Sequence, residues 1–230
     1  MRLAAFCTMR PNLRPYRRRG LPRLLSPVSA PFSGLAVDFV GSFPDPLVAL
    51  TPALPEIAFI GRSNVGKSSL LNSLVGRPIA RVSATPGKTT LLNAYRLPSF
   101  YLVDLPGYGF ARAGKAARAG YRALVTRYLR QRPRVAGVVW LLDIRHSPSR
   151  DDREFQQLLA DSERPVLAAL TKADKLPRAQ RAAQARALAR ELALPDDQVQ
   201  PTSSRTGEGM QDLADAVLQI VGADGARVGG

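Results

Sequence analysis

The stretch GRSNVGKS, which occupies residues 61–68, decides the fold of this chain. It fits the pattern G-x-x-x-x-G-K-[ST], follows the apolar run 57–60 and leads into the helix-like segment 69–74. A strand, a loop and a helix in this order are the context that a phosphate-binding P-loop needs. The candidate nucleotide-binding residues of the loop are Gly61, Arg62, Ser63, Asn64, Val65, Gly66, Lys67 and Ser68.

Each part of this loop has a chemical task. The glycines let backbone N–H groups turn inward around a β-phosphate, and the positive end of the following helix points at it. Lys67 can reach the β- and γ-phosphates, which makes it a candidate catalytic residue, and the Ser68 hydroxyl is a candidate Mg²⁺ ligand. A glycine-rich turn without a ligand is the alternative, and the strand and helix around the loop disfavour it.

Composition limits the class of protein. A chain of 230 residues with 45% hydrophobic residues forms one domain, or one domain with tails, and can bury a full core. No apolar run approaches the ~18 residues that a membrane span needs, so we expect no membrane partner. Cys7 is the only cysteine, which excludes an internal disulfide and fits a reducing cytosol. We therefore expect a cytoplasmic protein.

The net charge of +15 is unevenly distributed. Residues 1–37 hold seven arginines and no acid. The segment 105–142 is also free of acids and carries the basic residues Arg112, Lys115, Arg118, Arg122, Arg127, Arg130, Arg132 and Arg134. Such a stripe is typical of a protein that contacts nucleic acid, whereas the alternative is a solvated face in an arginine-preferring protein. Its concentration in one region favours RNA contact.

The chain divides into three parts. Residues 1–36 are rich in Arg, Pro and Ser and have no clear period, which indicates disorder. A transit peptide or a wrongly assigned start codon would produce the same pattern, and the sequence leaves these three alternatives open. We assign residues 37–222 to one globular domain and 223–230 to a flexible tail.

Strands and helices alternate along the domain. The predicted strands are Ile57–Ile60, Leu91–Leu97, Phe100–Asp104, Gly137–Asp143, Val166–Thr171 and a short one near Val199. The predicted helices are Lys67–Val75, Arg118–Arg130, Ser149–Asp161, Arg178–Leu192 and Gly209–Val221. This order predicts an α/β fold, in which a mostly parallel six-stranded sheet lies between helices as a three-layer sandwich. Ligands of such sheets bind at the carboxyl ends of the strands.

A second motif closes the strand before residue 104. Its residues, all candidates for nucleotide binding, are Asp104, Leu105, Pro106 and Gly107. The carboxylate can hold Mg²⁺ through water, and the Gly107 backbone N–H can donate to a γ-phosphate, which makes Gly107 a candidate catalytic position. The pattern D-x-x-G alone is weak, because Asp and Gly are ordinary turn residues, but its place after a P-loop favours the functional interpretation.

Two further segments fit recognition of guanine. They consist of Thr171, Lys172, Ala173 and Asp174, and of Thr202, Ser203 and Ser204. The Asp174 carboxylate can accept hydrogen bonds from guanine N1–H and the 2-amino group, which adenine lacks, so ATP is disfavoured. Standing alone, Asp174 would be read as a helix N-cap. The backbone N–H of Ser204 can donate to guanine O6.

Five motifs in this order resemble those of translation-factor-related GTPases. The individual residues within these motifs resemble those of the EngB/YihA/YsxC family. The motifs are GRSNVGKS at 61–68, TPGKT at 85–89, DLPGYG at 104–109, DIRH at 143–146 and TKADKL at 171–176. The resemblance runs from about Phe39 to Val221. It implies a Ras-like P-loop GTPase that binds GTP or GDP with Mg²⁺ and assists assembly of the large (50S) ribosomal subunit in the bacterial cytoplasm. It also implies a role in normal cell division and septation.

The resemblance further implies roles for individual residues. It adds a first switch to the nucleotide-binding residues, formed by Gly87, Lys88, Thr89, Thr90 and Leu91. In this switch Thr89 is the second Mg²⁺ ligand beside Ser68 and a candidate catalytic residue. Thr171 stands where most GTPases have Asn, a replacement that this family commonly carries. The implied partner is the large subunit or its precursor, with its rRNA and ribosomal proteins, bound by a monomer.

Two residues bear on the rate of hydrolysis. Tyr108 follows Gly107 where Ras-like enzymes place the Gln that orients water, so we expect slow intrinsic hydrolysis. Asn64 stands where related GTPases bind K⁺, and the alternative is that it only stabilises the loop. An alternative function is therefore an RNA-binding assembly scaffold that uses GTP only as a structural ligand. A fragment of a tRNA-modification GTPase is a third and disfavoured one, since no further catalytic domain is visible.

Overall fold

The computed structural model describes residues 30–80, 91–109 and 115–228. Within them the strands are β1 (Asp38–Phe43), β2 (Glu56–Gly61), β3 (Leu92–Arg96), β4 (Tyr101–Asp104), β5 (Val135–Asp143), β6 (Val166–Thr171) and β7 (Val199–Pro201). The helices are α1 (Lys67–Val75), α2 (Lys115–Gln131), α3 (Arg150–Asp161), α4 (Arg178–Glu191) and α5 (Met210–Val228). Each predicted helix and each predicted strand is present, with bounds within three residues of those expected except at the end of α5, which extends seven residues beyond the predicted Val221.

The strands form one sheet in the order β1-β3-β4-β2-β5-β6-β7. Strands β4, β2, β5, β6 and β7 run parallel, whereas β1 and β3 are antiparallel to their neighbours. The predicted α/β class is therefore confirmed, and the sheet has seven strands instead of six. The additional strand is β1, which is mostly exposed at the sheet edge and loses its register between Phe39 and Gly41. Its polar and glycine residues hide the periodicity of a strand.

Alternate residues of the central strands face two separate cores. Val138, Trp140 and Leu142 of β5 pack with α2, α3 and α4 on one face. Val139 and Leu141 pack with α1 and α5 on the other. Because both faces are covered, the parallel strands consist almost entirely of apolar residues. Trp140 is fully buried.

The described structure extends into both segments assigned as tails. Phe32 is buried, packs edge-on against Phe100 with ring centroids 5.8 Å apart, and donates its backbone N–H to the Leu74 carbonyl at 2.8 Å. At the other end, α5 continues to Val228. The described structure therefore places ordered contacts before the predicted boundary at residue 37 and helix beyond that at 222. Residues 1–29 lie outside the described part.

One member of the predicted basic stripe is a core residue. Arg132 is buried, and its Nε donates to Glu56 at 2.6 Å, while its Nη1 donates to the carbonyls of Pro46 and Val48. The Tyr128 hydroxyl donates to the same Glu56 carboxylate at 2.8 Å. Arg132 thus fastens the segment before β2 to the end of α2 and is unavailable for RNA. Among the described helices, none has the length and apolar character of a membrane span.

Candidate nucleotide-binding site

The loop between β2 and α1 has the backbone of a phosphate-binding turn. Asn64 and Gly66 take the left-handed conformation, with φ of 65° and 104°. A Cβ on Gly61 would lie 2.8 Å from Val65 Cγ1 and 2.9 Å from Leu141 Cβ, so the turn against β5 requires glycine there. The first turn of α1 carries no acidic residue, which leaves its positive end free to attract an anion.

The P-loop lysine and the carboxylate of the second motif meet at this turn. Strands β2 and β4 are parallel neighbours with Phe59 opposite Asp104, which brings the end of β4 beside the P-loop. The Lys67 ammonium forms an ion pair with Asp104, and both side chains are largely shielded from water. The site therefore holds a cation for phosphate oxygens and an anion for metal-bound water in adjacent positions.

The second motif is also joined to the P-loop through the backbone. The Tyr108 N–H donates to the Gly61 carbonyl at 3.2 Å, and the Ser63 N–H donates to the Tyr108 carbonyl at 2.8 Å. A Cβ on Gly107 would lie 2.9 Å from Ser63 Oγ, so only glycine permits this approach. The predicted phosphate-contacting residue Gly107 thus lies directly against the loop that would hold the phosphates.

The Tyr108 side chain points away from this loop and into the core. Its ring is stacked on Phe155 with centroids 4.1 Å apart, and its hydroxyl donates to Asp152 at 2.8 Å. The same oxygen accepts a hydrogen bond of 2.8 Å from Trp140 Nε1. Burial first, and the Asp152 carboxylate second, raise the pKa of Tyr108, so it stays a neutral phenol. The position after Gly107 is therefore occupied by a structural residue.

The two predicted guanine-recognition segments are joined to each other and to the P-loop. The Thr171 hydroxyl donates to the Val65 carbonyl at 2.7 Å. Threonine therefore joins this segment to the P-loop at the position where most GTPases have Asn. Lys172 donates to the Asn64 carbonyl at 2.8 Å. The Ala173 N–H donates to the Thr202 carbonyl at 3.0 Å. The structure thus joins the P-loop to two guanine-recognition segments, the first of which lies more than 100 residues later in the sequence.

The Asp174 carboxylate is held in place by two residues of the second guanine-recognition loop. One carboxylate oxygen accepts from the Ser203 hydroxyl and the other from Arg205 Nε, both at 2.8 Å. Burial opposes its ionisation, but the hydrogen bonds from Ser203 and Arg205 outweigh burial and lower the pKa of Asp174. A carboxylate acceptor for guanine is therefore present at neutral pH. Ser204 is exposed beside it.

The structure adds two candidate functional residues, Asp143 and Arg205, to which no role was assigned from the sequence. Asp143, at the end of β5, accepts hydrogen bonds from Arg145 and pairs with Lys172 at 2.9 Å. Burial opposes its ionisation, but these partners prevail and lower the pKa of Asp143. Asp143 thus orients the lysine that contacts the P-loop. Arg205 is the second such residue. Its position directly after Ser203 and Ser204 is the sequence feature that could have indicated its contact with Asp174.

Part of the predicted metal and switch region is outside the described residues. The residues outside the described part are Gly87, Lys88, Thr89 and Thr90, so the role of Thr89 as a Mg²⁺ ligand stays a prediction. Leu91, the last residue of the predicted switch, directly precedes β3. Ser68 lies in the first turn of α1, close in sequence to Lys67. Its hydroxyl and the nearby Asp104 carboxylate are hard oxygen donors of the kind that Mg²⁺ prefers. Across the described ranges no three His, Cys, Asp or Glu residues cluster as metal ligands.

Comparisons with known proteins agree with this geometry. A family model described as 50S ribosome-binding GTPase matches residues 56–172. A probable GTP-binding protein EngB of Gemmatimonas aurantiaca is 50% identical over 170 residues, which cover 73% of this chain and 83% of that protein. Another probable EngB, of Lacticaseibacillus casei, is 44% identical over 174 residues, which cover 74% of this chain and 88% of that protein.

Solved structures support the fold. A crystal structure of a probable GTP-binding protein EngB has a TM-score of 0.59 at 22% identity and covers 72% of this chain and 98% of its own. Aquifex aeolicus Era bound to GDP and AlF₄⁻ has a TM-score of 0.59 at 21% identity, covering 73% and 57%. The fold is that of a P-loop GTPase. Together with the family match and the identity over most of the chain, this shows that the protein belongs to the EngB family of GTP-binding proteins.

Proposed function

We propose that this protein hydrolyses GTP to GDP and phosphate and acts as a nucleotide-controlled switch in assembly of the large (50S) ribosomal subunit. The observation that carries the proposal is the convergence of four motifs at one edge of the sheet. The Lys67–Asp104 pair, the Lys172–Asn64 contact and the Asp174–Ser203 hydrogen bond connect the phosphate and base positions. Such an arrangement positions a guanine nucleotide along the carboxyl ends of the strands.

Named residues of this chain would perform each part of the work. Lys67 and the N–H groups at the start of α1 bind the phosphates, and Asp174 selects guanine because its carboxylate matches N1–H and the 2-amino group. Mg²⁺, held by Ser68 and, in the proposed switch, by Thr89, would neutralise charge on the β- and γ-phosphates. Loss of the γ-phosphate would release Thr89 and Gly107, which is the switching step.

The proposed intrinsic rate is slow. Tyr108 is bound inside the core, so it offers no group that orients an attacking water. By comparison with unassisted GTPases we expect a rate on the order of 10⁻⁴ to 10⁻² s⁻¹. Acceleration would come from the ribosomal particle or from K⁺ held at Asn64. The Asn64 carbonyl already accepts a hydrogen bond from Lys172, which fixes the loop that would hold the cation.

The proposed partner is the large subunit or its precursor. The description of the matching family supports the large subunit, whereas the net charge of +15 and the fold shared with Era support contact with ribosomal RNA in general. An Era structure with a TM-score of 0.57 contains MgGDPNP and a segment of 16S ribosomal RNA. We further propose cytoplasmic action as a monomer, and that effects on cell division and septation follow from the supply of ribosomes.

A second candidate is an RNA-binding scaffold that keeps GTP as a structural ligand. The burial of Tyr108 favours it, because the chain lacks a water-orienting side chain at that position. One experiment separates the two. Purified protein is sedimented with isolated large and small subunits in the presence of a non-hydrolysable GTP analogue or GDP, and phosphate release is measured in parallel.

We expect binding to the large subunit with the analogue, weaker binding with GDP, and phosphate release that the large subunit stimulates. Equal binding in both nucleotide states without stimulated release would replace the switch by the scaffold. No binding to either subunit would remove the ribosome from the proposal and leave a GTPase with another partner.

A further inference from the structure

We propose that helix α4 is the surface through which this protein binds ribosomal RNA, with Arg178, Arg186 and Arg190 as its phosphate contacts. The inference rests on the proposed function, because it names the surface and the chemical class of partner for the same switch. It departs from the basic stripe at 105–142 that the sequence favours.

The arginines of α2 are largely matched by acids. Their partners come from the segment before β2 and from α3, and the pairs are Arg122–Glu154 at 2.5 Å, Arg127–Asp45 at 3.8 Å and Arg130–Asp161 at 3.6 Å. Arg132 is committed to the buried Glu56. Each surface pair must be broken before its guanidinium can take a phosphate, so α2 presents much less positive charge than its sequence indicates.

Helix α4 has the opposite character. Its sequence RAQRAAQARALARE contains one acid, Glu191, which pairs with Arg153 of α3 at 3.5 Å. Arg178, Arg186 and Arg190 are exposed, and no salt bridge or hydrogen bond within the described residues engages their side chains. Arg178, Arg186 and Arg190 therefore present full positive charges to solvent.

The spacing of these arginines suits an extended phosphate backbone. A rise of 1.5 Å per residue places Arg186 and Arg190 about 6 Å apart along the helix axis, and Arg178 about 12 Å before Arg186. Between them the exposed residues Ala179, Ala182 and Ala183 have small side chains. A nucleic-acid backbone can therefore approach α4 closely while several guanidinium groups reach its phosphates.

The chemistry of this surface favours RNA over a protein or a membrane. The large hydrophobic side chains that are exposed in the described residues lie before β2 and on α5, not on α4, so α4 lacks an apolar anchor. Guanidinium groups recognise phosphate by paired donors. On the opposite sheet face, α5 has Asp212 and Asp215 and no basic residue among its described side chains, which disfavours RNA there.

Two matched triple variants test the assignment. The α4 variant carries Arg178→Gln, Arg186→Gln and Arg190→Gln; the α2 variant carries Arg122→Gln, Arg127→Gln and Arg130→Gln. Both remove three positive charges and none of the proposed nucleotide contacts. Binding to large subunits, and to RNA extracted from them, is measured over a KCl series with the full chain and the GTP analogue.

We expect the α4 variant to lose at least about 10-fold in affinity for both probes and to reduce the salt slope by about 2 to 3, since each phosphate contact contributes about 0.7 to 0.9. The α2 variant should stay within about 3-fold of the wild type. Unchanged basal GTP hydrolysis and unfolding midpoints establish that both variants are folded.

An α4 variant with wild-type affinity and slope, or a greater loss in the α2 variant, overturns the inference. Loss of subunit binding with unchanged binding to free RNA also overturns it, since that result assigns α4 to a ribosomal protein. In all these outcomes the wild-type protein binds subunits and the proposed function stands. If the wild-type protein binds neither probe, the proposed function fails and the inference fails with it.

Discussion

The Tyr108 hydroxyl donates a 2.8 Å hydrogen bond to Asp152, which joins the residue after Gly107 to the first turn of α3. The other Asp152 oxygen accepts from the backbone N–H and the hydroxyl of Ser149, which caps that helix. One buried carboxylate therefore fixes both the second nucleotide motif and the start of α3. A position that orients water in Ras-like enzymes serves here to hold the two elements together.

Removing the Tyr108 hydroxyl should destabilise the fold without changing the rate of GTP hydrolysis. Tyr108→Phe removes the hydrogen-bond partner of Trp140 Nε1 and of Asp152 Oδ1, while the other Asp152 oxygen keeps its bonds from Ser149, so we expect a loss of about 1–3 kcal/mol in the free energy of unfolding. Urea unfolding measures it. Tyr95→Phe is the matched control, since Tyr95 is a buried residue whose hydroxyl makes no hydrogen bond within the described residues. Tyr108→Gln should be destabilised as well and should not hydrolyse GTP faster, whereas a large rate increase would contradict the inward orientation.

Arg205 should slow the binding of guanine nucleotide and speed its release. It donates to one of the two Asp174 oxygens that would accept from guanine, so we expect nucleotide and arginine to compete. Because the Arg205 side chain is 67% exposed, the effect should be modest. We expect Arg205→Ala to release a fluorescent GDP analogue about 3- to 10-fold more slowly in stopped-flow measurements. Faster release would show that Arg205 supports the base instead, and Arg178→Ala provides the surface control.

The Asp143 contacts should make stability depend on pH in the acid range. The pKa of Asp143 is lowered in the folded state, so its contribution is complete above the unfolded value of about 3.9 and is lost as the pH falls toward the folded value. Asp143→Asn should therefore be less stable than the wild type at pH 7, and the difference should shrink below about pH 4. Urea unfolding at several pH values tests this. Asp38→Asn, which breaks an exposed pair with Arg96, should change little.

Breaking the buried pair of Arg132 should be among the more damaging substitutions outside the site. Arg132→Ala leaves Glu56 buried without its cation and removes donors from two carbonyl groups, so we expect a loss of about 3–5 kcal/mol. Thermal and urea unfolding measure the loss. Arg127→Ala, in the helix α2 that ends just before Arg132, is the control and should cost less than about 1 kcal/mol, because its pair is exposed. Equal effects would contradict the buried role.

Asn64 should make hydrolysis depend on the monovalent cation. If Asn64 holds K⁺ beside the phosphates, GTP turnover by the wild type will be faster in KCl than in NaCl, and Asn64→Ala will remove the difference. The measurement is phosphate release at equal ionic strength. Equal rates for the wild type in both salts would restrict Asn64 to stabilising the loop turn, in which it takes the left-handed conformation with φ of 65°.

The sequence went furthest where local pattern and chemistry coincide. The P-loop, the Asp104–Gly107 segment and the guanine-recognition loops follow apolar strands, and parallel strands place their carboxyl ends together, so a common edge was predictable. Most helix bounds were accessible too, because start and stop signals are local, but the end of α5 was predicted seven residues too early. Strand β1 was not, since pairing with β3 at an exposed edge leaves no alternation in its own residues.

The sequence by itself determined the α/β class, the order of its elements apart from β1, and the candidate residues for binding a guanine nucleotide. Only the tertiary structure decided which charges are free and where Tyr108 points. Arg132 and Arg127 look alike in sequence, yet one is buried on Glu56 and the other is exposed. Their difference arises from partners more than 70 positions away, which local pattern cannot register because packing selects them only when the sheet and its helices assemble.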